Sequence, residues 1–370
     1  MNQIYDLPER LLTLKLCFPL ILRSHFKQYL DECLIGFKYS LIKQFETITS
    51  KTYELERVNQ FTYHAALHSD NYYLNRYDDI LPYDQTRVIL KDVNDHNLVT
   101  FDQLSMNSTG YINANFIRTI EPPTSSNDTM LRANNQCEFI ATQGPLKKTI
   151  GDFWHMVYIY QCPIIIMLTG LKHNTQSICD LYWPEELNTT KQYEYSNIRI
   201  SVTLVNVNQS DCFIQRNFKV SSSIKPNELH NVIQIHSTKW ENFGVPTLEN
   251  MHKLVQAYEN IYQDCVGQST IPIGPTVVHC SAGVGRTGTF ISVLVVRRHL
   301  RSDCQWISLP NIVLMLRLWR CFMVELKIRS QQSKEITNQR PHRQNKLLNH
   351  SRRDIDTSLH TEVNADDVTV

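Results

Sequence analysis

The chain of 370 residues has little net charge, no paired short cysteine spacings and no long apolar run. Its 37 Lys and Arg residues nearly balance 36 Asp and Glu residues, so the overall charge does not indicate nucleic acid or a lipid surface. Its apolar stretches, such as residues 289–296, are too short to span a bilayer. We therefore expect binding to neither nucleic acid nor membrane, and any strongly positive site must be local.

The ten cysteines are scattered along the chain rather than grouped as in a zinc site or a disulfide scaffold. We interpret them as reduced, mostly buried thiols. Reduced thiols are typical of a reducing compartment, which predicts a cytoplasmic location. The same spacing predicts no bound metal, and we expect no other cofactor.

Helix-like and strand-like segments alternate along the chain. Apolar residues at mixed three and four spacing predict a helix over 30–48, and the β-branched run at 164–168 predicts a buried strand. The pattern predicts further strands at 86–90, 111–112, 139–141, 198–207, 213–220, 232–235 and 276–279, and further helices at 151–160, 248–263 and 287–300. This interleaving predicts an α/β fold with a mixed sheet.

The composition divides the chain into three parts. Residues 1–37 form an N-terminal extension to which the sequence assigns no fold, and residues 38–330 form the main domain. Residues 331–370 are polar, with a basic section followed by an acidic end, and they predict a disordered tail.

Residues 279–288 read His-Cys-Ser-Ala-Gly-Val-Gly-Arg-Thr-Gly between a predicted strand and a predicted helix. Such a loop forms an anion cradle, because consecutive backbone N–H groups point inward and the helix dipole adds positive potential. Arg286 can bind two phosphate oxygens with its planar guanidinium. The same field should lower the pKa of Cys280 below the usual ~8.5 of a thiol, and Thr287 can hydrogen-bond the sulfur.

The loop therefore predicts Cys280 as a nucleophile toward phosphorus, with a phosphate held by Ser281, Ala282, Gly283, Val284, Gly285 and Arg286. A buried structural cysteine in a turn is the plainer alternative, but too many specified residues stand at the required spacing. A Walker-type nucleotide loop is excluded, because no Gly-Lys-Ser/Thr follows the glycines.

Residues 278–290 resemble the signature of the protein tyrosine phosphatases, and the similarity extends in the family's order over about residues 38–325. The resemblance implies a single domain with a highly twisted mixed sheet flanked by helices, and phosphotyrosine-containing proteins as partners. It also implies that Tyr77 stacks on the substrate ring in a deep slot formed with Ile80. By the same resemblance Asp79 orients the substrate backbone, and Phe243 belongs to the substrate-binding residues.

The chain departs from the family in the loop that carries the general acid. Residues 240–246 read Trp-Glu-Asn-Phe-Gly-Val-Pro, where the family has Trp-Pro-Asp-Phe-Gly-Val-Pro. Asn242 therefore stands in place of the aspartic acid, and an amide cannot donate a proton near pH 7. Losing a general acid costs ~10² to 10⁴ in rate. Glu241, which replaces the proline, is a possible substitute acid.

Further departures concern the groups around the acid and the hydrolytic water. His173 stands where the family has a glutamate paired with the catalytic arginine, and Ile178 where a lysine supports the acid loop. Glu325 and Arg329 replace the glutamines that place the water, although the Glu325 carboxylate could still order one. Phe322, where some members have glycine, is expected to narrow access to the site.

Three functions are compatible with the sequence. The chain could be a slow tyrosine phosphatase acting through a phosphocysteine, a substrate trap that binds phosphotyrosine without turnover, or a scaffold that binds no phosphate. The residues favour phosphate binding with weak turnover. In composition and in its altered acid loop the chain is also similar to the tyrosine phosphatase-like proteins of polydnaviruses, which implies interference with signalling in host cells.

Overall fold

The structure is a computed structural model that describes residues 13–35, 38–90, 110–125, 130–240, 244–270 and 272–325. The helices of these residues are α1 Phe26–Ile35, α2 Lys38–Val58, α3 His64–Leu67, α4 Ile150–Ile159, α5 Leu248–Gln268, α6 Gly285–Arg301 and α7 Leu309–Trp319. The strands are β1 Thr13–Lys15, β2 Ile21–Leu22, β3 Arg87–Ile89, β4 Tyr111–Ile117, β5 Met130–Arg132, β6 Phe139–Thr142, β7 Ile164–Met167, β8 Lys172–His173, β9 Gln176–Ser177, β10 Thr190–Tyr195, β11 Ile198–Gln209, β12 Phe213–Ser222, β13 Lys225–Ser237, β14 Thr276–His279 and β15 Trp306–Ile307.

Nine strands form the main sheet in the order β10-β11-β12-β13-β7-β14-β6-β4-β3. Strands β13, β7, β14 and β6 are parallel to one another, and the outer pairs are antiparallel. The predicted α/β class with a mixed sheet is therefore confirmed. Because the carboxyl ends of parallel strands meet at one edge, Cys280 follows β14 at the edge where β6 and β7 also end.

Successive residues of the central strands enter two different cores. Ile164 and Ile166 pack in one core with residues of α5, α6 and α7. Ile165 and Met167 pack in the other core, mainly against α4. Full burial of such a side chain contributes about 1.5–3 kcal/mol. Strands covered on both faces must be apolar throughout, which explains the continuous run at 164–168.

The N-terminal part of the chain packs on the main domain. Strand β1 pairs with β5, and β2 pairs with β15. The predicted helix 30–48 is divided between α1 and α2, with residues 36–37 outside the described residues. The predicted tail 331–370 also lies outside them.

Helix α7 was not predicted from the sequence. Every residue of α7 except Leu309 is buried, including the polar Asn311 and Arg317. This helix leads into the residues that support the candidate site.

Candidate active site

The residues from Cys280 to Thr287, called the phosphate loop below, connect β14 to the first turn of α6. Cys280 is only 4% exposed and accepts a hydrogen bond from the backbone N–H of Gly283, at 3.2 Å from the sulfur. Gly283 has a φ of 72°, which favours glycine. A Cβ atom at Gly283 would lie 2.1 Å from the carbonyl oxygen of Thr142, so the loop packs directly against the end of β6.

The surroundings of Cys280 favour a thiolate. Burial alone would raise the pKa of this thiol, but the charge of Arg286, the neighbouring Thr287 and the hydrogen bond from the Gly283 N–H outweigh it, and the pKa lies below its usual value. The thiol is therefore more acidic than an ordinary cysteine, as a phosphorus nucleophile requires. By contrast, burial raises the pKa of nearby Cys321 to about 12, so that thiol stays protonated.

Arg286 lies half-buried in the first turn of α6 and donates from Nη1 to the carbonyl oxygen of Trp240, at 3.4 Å. The indole Nε1 of Trp240 donates to the carbonyl oxygen of Gly244, at 3.1 Å. The start of the loop that the sequence assigns to the acid therefore lies beside Arg286. The intervening Glu241, Asn242 and Phe243 lie outside the described residues.

Arg320 supports the loop from behind, a role that the sequence did not reveal. It is fully buried and donates to the carbonyl oxygens of Gly283 at 2.9 Å and Ala282 at 3.1 Å. It also donates to the side-chain oxygens of Asn115 and Asn113, each at 2.7 Å. Because the carbonyls of the loop are held toward this buried cation, a bound anion does not meet them. The only sign of this role in the sequence is that Arg320 follows an apolar run.

Tyr77 is joined to the phosphate loop by its hydroxyl, which lies 2.7 Å from Oγ of Ser281. Ser281 itself donates to the carbonyl oxygen of Ile178 at 2.8 Å, so the Tyr77 hydroxyl donates to Ser281. Tyr77 and Phe322 pack against the cluster that contains Ile80 and Val284. The structure thus brings Tyr77 and Ile80 to the phosphate loop, as the predicted slot requires, while Asp79 lies exposed at its edge.

Arg76 fixes the position of the Tyr77 segment. Its guanidinium donates to the carbonyl oxygens of Gly144 at 3.0 Å and Pro145 at 2.8 Å, and it pairs with Asp180 at 2.9 Å. Its backbone N–H donates to the side chain of Gln143 at 2.8 Å. The aromatic slot is therefore anchored to the residues that follow β6.

The structure describes most of the remaining residues that the sequence singled out. His173 is half-buried in the β8–β9 hairpin, and Ile178 is buried behind Ser281. Glu325 is half-buried, and its carbonyl oxygen would lie 3.3 Å from a Cβ atom at Gly285. Phe322 is half-buried with a φ of 57°. Arg329 lies outside the described residues.

Other kinds of site receive no support from the part of the chain that the structure describes. Among those residues, no group of three or more His, Cys, Asp or Glu side chains is placed to hold a metal ion. No helix within the described ranges has the length and apolarity to cross a membrane. All ten cysteines are free thiols.

A cysteine of lowered pKa beside an arginine at a helix N-terminus is the arrangement found in proteins that hold a phosphate group against a cysteine. Comparison with known proteins narrows this class. A sequence model described as protein-tyrosine phosphatase matches residues 71–332. The chain is 34% identical over 235 residues to tyrosine-protein phosphatase non-receptor type 61F of Drosophila melanogaster, a match that covers 63% of this chain and 37% of that protein.

The chain is also 31% identical over 265 residues to protein-tyrosine-phosphatase PTP1 of Arabidopsis thaliana, covering 70% of this chain and 68% of that protein. A solved structure reported as "Structural basis of PTPN18 fingerprint on distinct HER2 tyrosine phosphorylation sites" aligns with a TM-score of 0.60 and 28% identity, over 77% of this chain and 90% of that chain. The chain belongs to the protein-tyrosine phosphatase family, which acts on phosphotyrosine in proteins. The predicted fold is thereby confirmed, although the chain spans little more than a third of the Drosophila relative.

Proposed function

We propose that this chain binds phosphotyrosine in partner proteins through the phosphate loop and hydrolyses it weakly or not at all. The observation that carries the proposal is Asn242, which stands where the family's general acid belongs while the phosphate loop keeps its cysteine, arginine and supporting contacts. The amide of Asn242 cannot protonate a leaving phenolate. The binding part of the site is therefore intact, and one chemical part is missing.

The contacts of the loop support binding. Cys280 and Arg286 lie together at the N-terminus of α6, where unpaired N–H groups and the helix dipole favour an anion. Tyr77 and Ile80 line an aromatic slot beside it. Replacing the aspartate by Asn242 also removes a negative charge that would repel a phosphate dianion, so affinity for phosphotyrosine is kept or improved.

The missing acid supports weak turnover. Loss of a general acid lowers the rate by ~10² to 10⁴, or about 3–5 kcal/mol of barrier, and tyrosine phenolate is a poor leaving group. Glu325 and Arg329 stand where the family places glutamines that orient the hydrolytic water. A carboxylate at that position would face a phosphorylated Cys280 of like charge, which slows the second step as well.

In the form without turnover, the protein is a substrate trap that shields phosphotyrosine in its partners. The free thiols support action in a reducing compartment such as the cytoplasm. The Asn-, Thr- and Ile-rich composition supports the further proposal that the chain is a polydnavirus protein that interferes with phosphotyrosine signalling in a host cell.

The decisive experiment measures binding and chemistry on the same protein. Isothermal titration with a tyrosine-phosphorylated peptide and its unphosphorylated form should show at least about tenfold tighter binding of the phosphorylated form, the energy of one charge-assisted contact. Stopped-flow assay of an aryl phosphate should show slow turnover or a burst that depends on Cys280, with Cys280→Ser as control. Equal affinity for the two peptides would exclude the trap, and rapid steady-state turnover would exclude the impaired chemistry.

Glu241 is tested separately as a substitute acid. If it is a solvated side chain, Glu241→Gln leaves aryl phosphate turnover unchanged. A fall in rate together with loss of the basic limb of the pH profile would assign the proton to Glu241 instead.

A further inference from the structure

A chain of side-chain hydrogen bonds runs behind the phosphate loop and ends on Cys280. We infer that Arg216, on strand β12, is a positioning residue that orients the Cys280 peptide through Gln234, Tyr182 and His279. This inference concerns how the proposed phosphate site is kept in its working geometry, so it rests on the proposed function. It assigns roles to Arg216 and Gln234, which lie on strands outside the phosphate loop.

This series of side chains is connected by four hydrogen bonds. Nη1 of Arg216 donates to Oε1 of Gln234 at 2.9 Å, and Nε2 of Gln234 donates to the Tyr182 hydroxyl at 2.7 Å. The Tyr182 hydroxyl lies 2.8 Å from Nε2 of His279. Nδ1 of His279 lies 3.1 Å from the carbonyl oxygen of Cys280. Gln234, Tyr182 and His279 are each fully buried, so none of these links competes with water.

The direction of every link is fixed by the two ends. A guanidinium can only donate, so Gln234 must turn its oxygen to Arg216 and its NH₂ group to Tyr182. A carbonyl can only accept, so Nδ1 of His279 must carry a proton toward Cys280. Burial lowers the pKa of His279 to about 3, and the neutral ring therefore has a bare Nε2. Tyr182 must donate to that nitrogen, which completes a single orientation for all four groups.

The Met167 sulfur is a weak competing acceptor for the Tyr182 and Gln234 donors. The sulfur of Met167 lies 3.7 Å from the Tyr182 hydroxyl and 3.8 Å from Nε2 of Gln234. A thioether accepts a hydrogen bond less well than a bare imidazole nitrogen. Met167 therefore does not draw the Tyr182 proton away from His279, whereas a Gln234 side chain turned to present its oxygen would accept that proton.

The last link bears directly on the nucleophile. In a trans peptide the C=O and the following N–H point in opposite directions, so tying the Cys280 carbonyl to His279 turns the Ser281 N–H away from His279. An inward N–H at this point belongs to the anion cradle and to the field that favours a thiolate. If His279 changed tautomer, its lone pair would face the Cys280 carbonyl, and the peptide would lose this restraint.

Arg216 is itself held in place. Its guanidinium lies 4.7 Å from the centre of the Trp183 ring, and the same Nη1 lies 3.3 Å from Nδ1 of His236. Nε2 of His236 lies 2.9 Å from the carbonyl oxygen of Thr169 and donates to it, so this second histidine also has one tautomer. Because these contacts hold the Arg216 guanidinium in place, it can fix the orientation of Gln234 and, through it, of Tyr182 and His279.

The test measures the Cys280 pKa from the pH dependence of iodoacetamide alkylation, followed by mass spectrometry of the peptide that contains Cys280. We expect Arg216→Met and Tyr182→Phe each to raise this pKa by about 0.5 to 1, since each removes the restraint on His279. The double variant, with Arg216→Met and Tyr182→Phe together, should have the same Cys280 pKa as Tyr182→Phe alone. Once the Tyr182 hydroxyl is removed, Arg216 has no hydrogen-bonded path to His279. Lys219→Met removes an exposed charge from the same strand and should leave the pKa unchanged.

Two results would overturn the inference. Additive changes in the double variant would mean that Arg216 acts on Cys280 by charge through space, and an unchanged pKa in Arg216→Met would mean that it does not act at all. If Arg216→Met does not fold, the same test is made with Gln234→Met, alone and combined with Tyr182→Phe. The Cys280 pKa should again be the same in the double variant as in Tyr182→Phe. The assay needs no phosphopeptide. If the single and double variants show the expected Cys280 pKa values but the protein binds no phosphopeptide, the proposed function is wrong and this inference stands.

Discussion

The phosphate loop and the segment Cys321–Glu325, called the closing segment below, lie side by side and both enter the left-handed region of backbone space. In the phosphate loop this residue is Gly283, with a φ of 72°, and glycine adopts such a conformation without steric cost. In the closing segment the residues are Phe322 and Val324, with φ values of 57° and 59°. A bulky or β-branched residue in this region costs of the order of 1–3 kcal/mol.

The two segments are in direct contact. The backbone N–H of Val324 donates to the carbonyl oxygen of Val284 at 3.1 Å, and a Cβ atom at Gly288 would lie 2.4 Å from that same nitrogen. The strained closing segment is therefore held against the start of α6. The phosphate loop has a residue suited to its backbone conformation at the left-handed position, whereas the closing segment does not. This difference agrees with the proposed function, in which phosphotyrosine binding is kept and hydrolysis is weak or absent.

The largest expected effect comes from restoring the acid. Asn242→Asp should raise aryl phosphate turnover by ~10² to 10⁴, because the phosphate loop already supplies the nucleophile and the arginine. Steady-state kcat over a range of pH checks this, and a basic limb should appear that reports the new acid. Asn242→Leu, which adds no proton donor, should give no gain. If Asn242→Asp is equally slow, the closing segment and not the acid limits the reaction.

The second effect tests whether the phosphate loop depends on its glycine. Gly283→Ala forces a side chain into the left-handed region and against the Thr142 carbonyl, so we expect stability to fall by about 2–4 kcal/mol. Phosphopeptide affinity should fall about 10²-fold as one or two charge-assisted hydrogen bonds are lost. Gly267→Ala is the matched control, because nothing lies within 4 Å of its Cβ position in α5, and it should gain up to about 1 kcal/mol.

Equal effects of the two alanines on denaturant unfolding and on peptide titration would contradict the role given to Gly283. The comparison is sharp because both residues are glycines of the same domain and differ in φ and in packing.

The central strands and the phosphate loop could be predicted from the sequence because their signals are local. The β-branched run before Met167 and the strand Thr276–His279 were located from composition alone, and the glycines mark the loop that follows. Arg320 could not be assigned, because its partners Asn115 and Asn113 are 205 and 207 residues away along the chain. Periodicity reports which face of an element is buried, and it does not report which distant polar group a buried cation meets.

The closing segment shows the same limit. The resemblance identified Phe322 and Glu325 as departures, but the left-handed backbone of Phe322 and Val324 follows from contacts with the phosphate loop and α6. Neither residue favours that conformation, so local propensity argues against it. Tertiary packing decides the backbone conformation of this segment.

A smaller effect is expected from relieving this strain. Phe322→Gly removes a half-buried ring but also removes the cost of its positive φ, and these changes oppose each other. Phe213→Gly is a matched control, since Phe213 is also half-buried but lies in strand β12 with no positive φ. We expect Phe322→Gly to lower the free energy of unfolding by at least about 1 kcal/mol less than Phe213→Gly does. Urea unfolding of both variants decides this, and equal losses would show that the closing segment is not strained.

The smallest effect concerns the charge on Cys280 and leaves both segments unchanged in shape. Because the folded pKa of this thiol is lowered, the unfolded chain takes up its proton first as the pH falls. The stabilisation from the thiolate is therefore fully present above the unfolded pKa of ~8.5 and is lost as the pH falls through the folded pKa. Relative to Cys280→Ser, the free energy of unfolding of the wild type should rise with pH across that window and then become level. A difference that is independent of pH would mean that the loop does not favour the thiolate, and the contrast with the closing segment would then rest on backbone geometry alone.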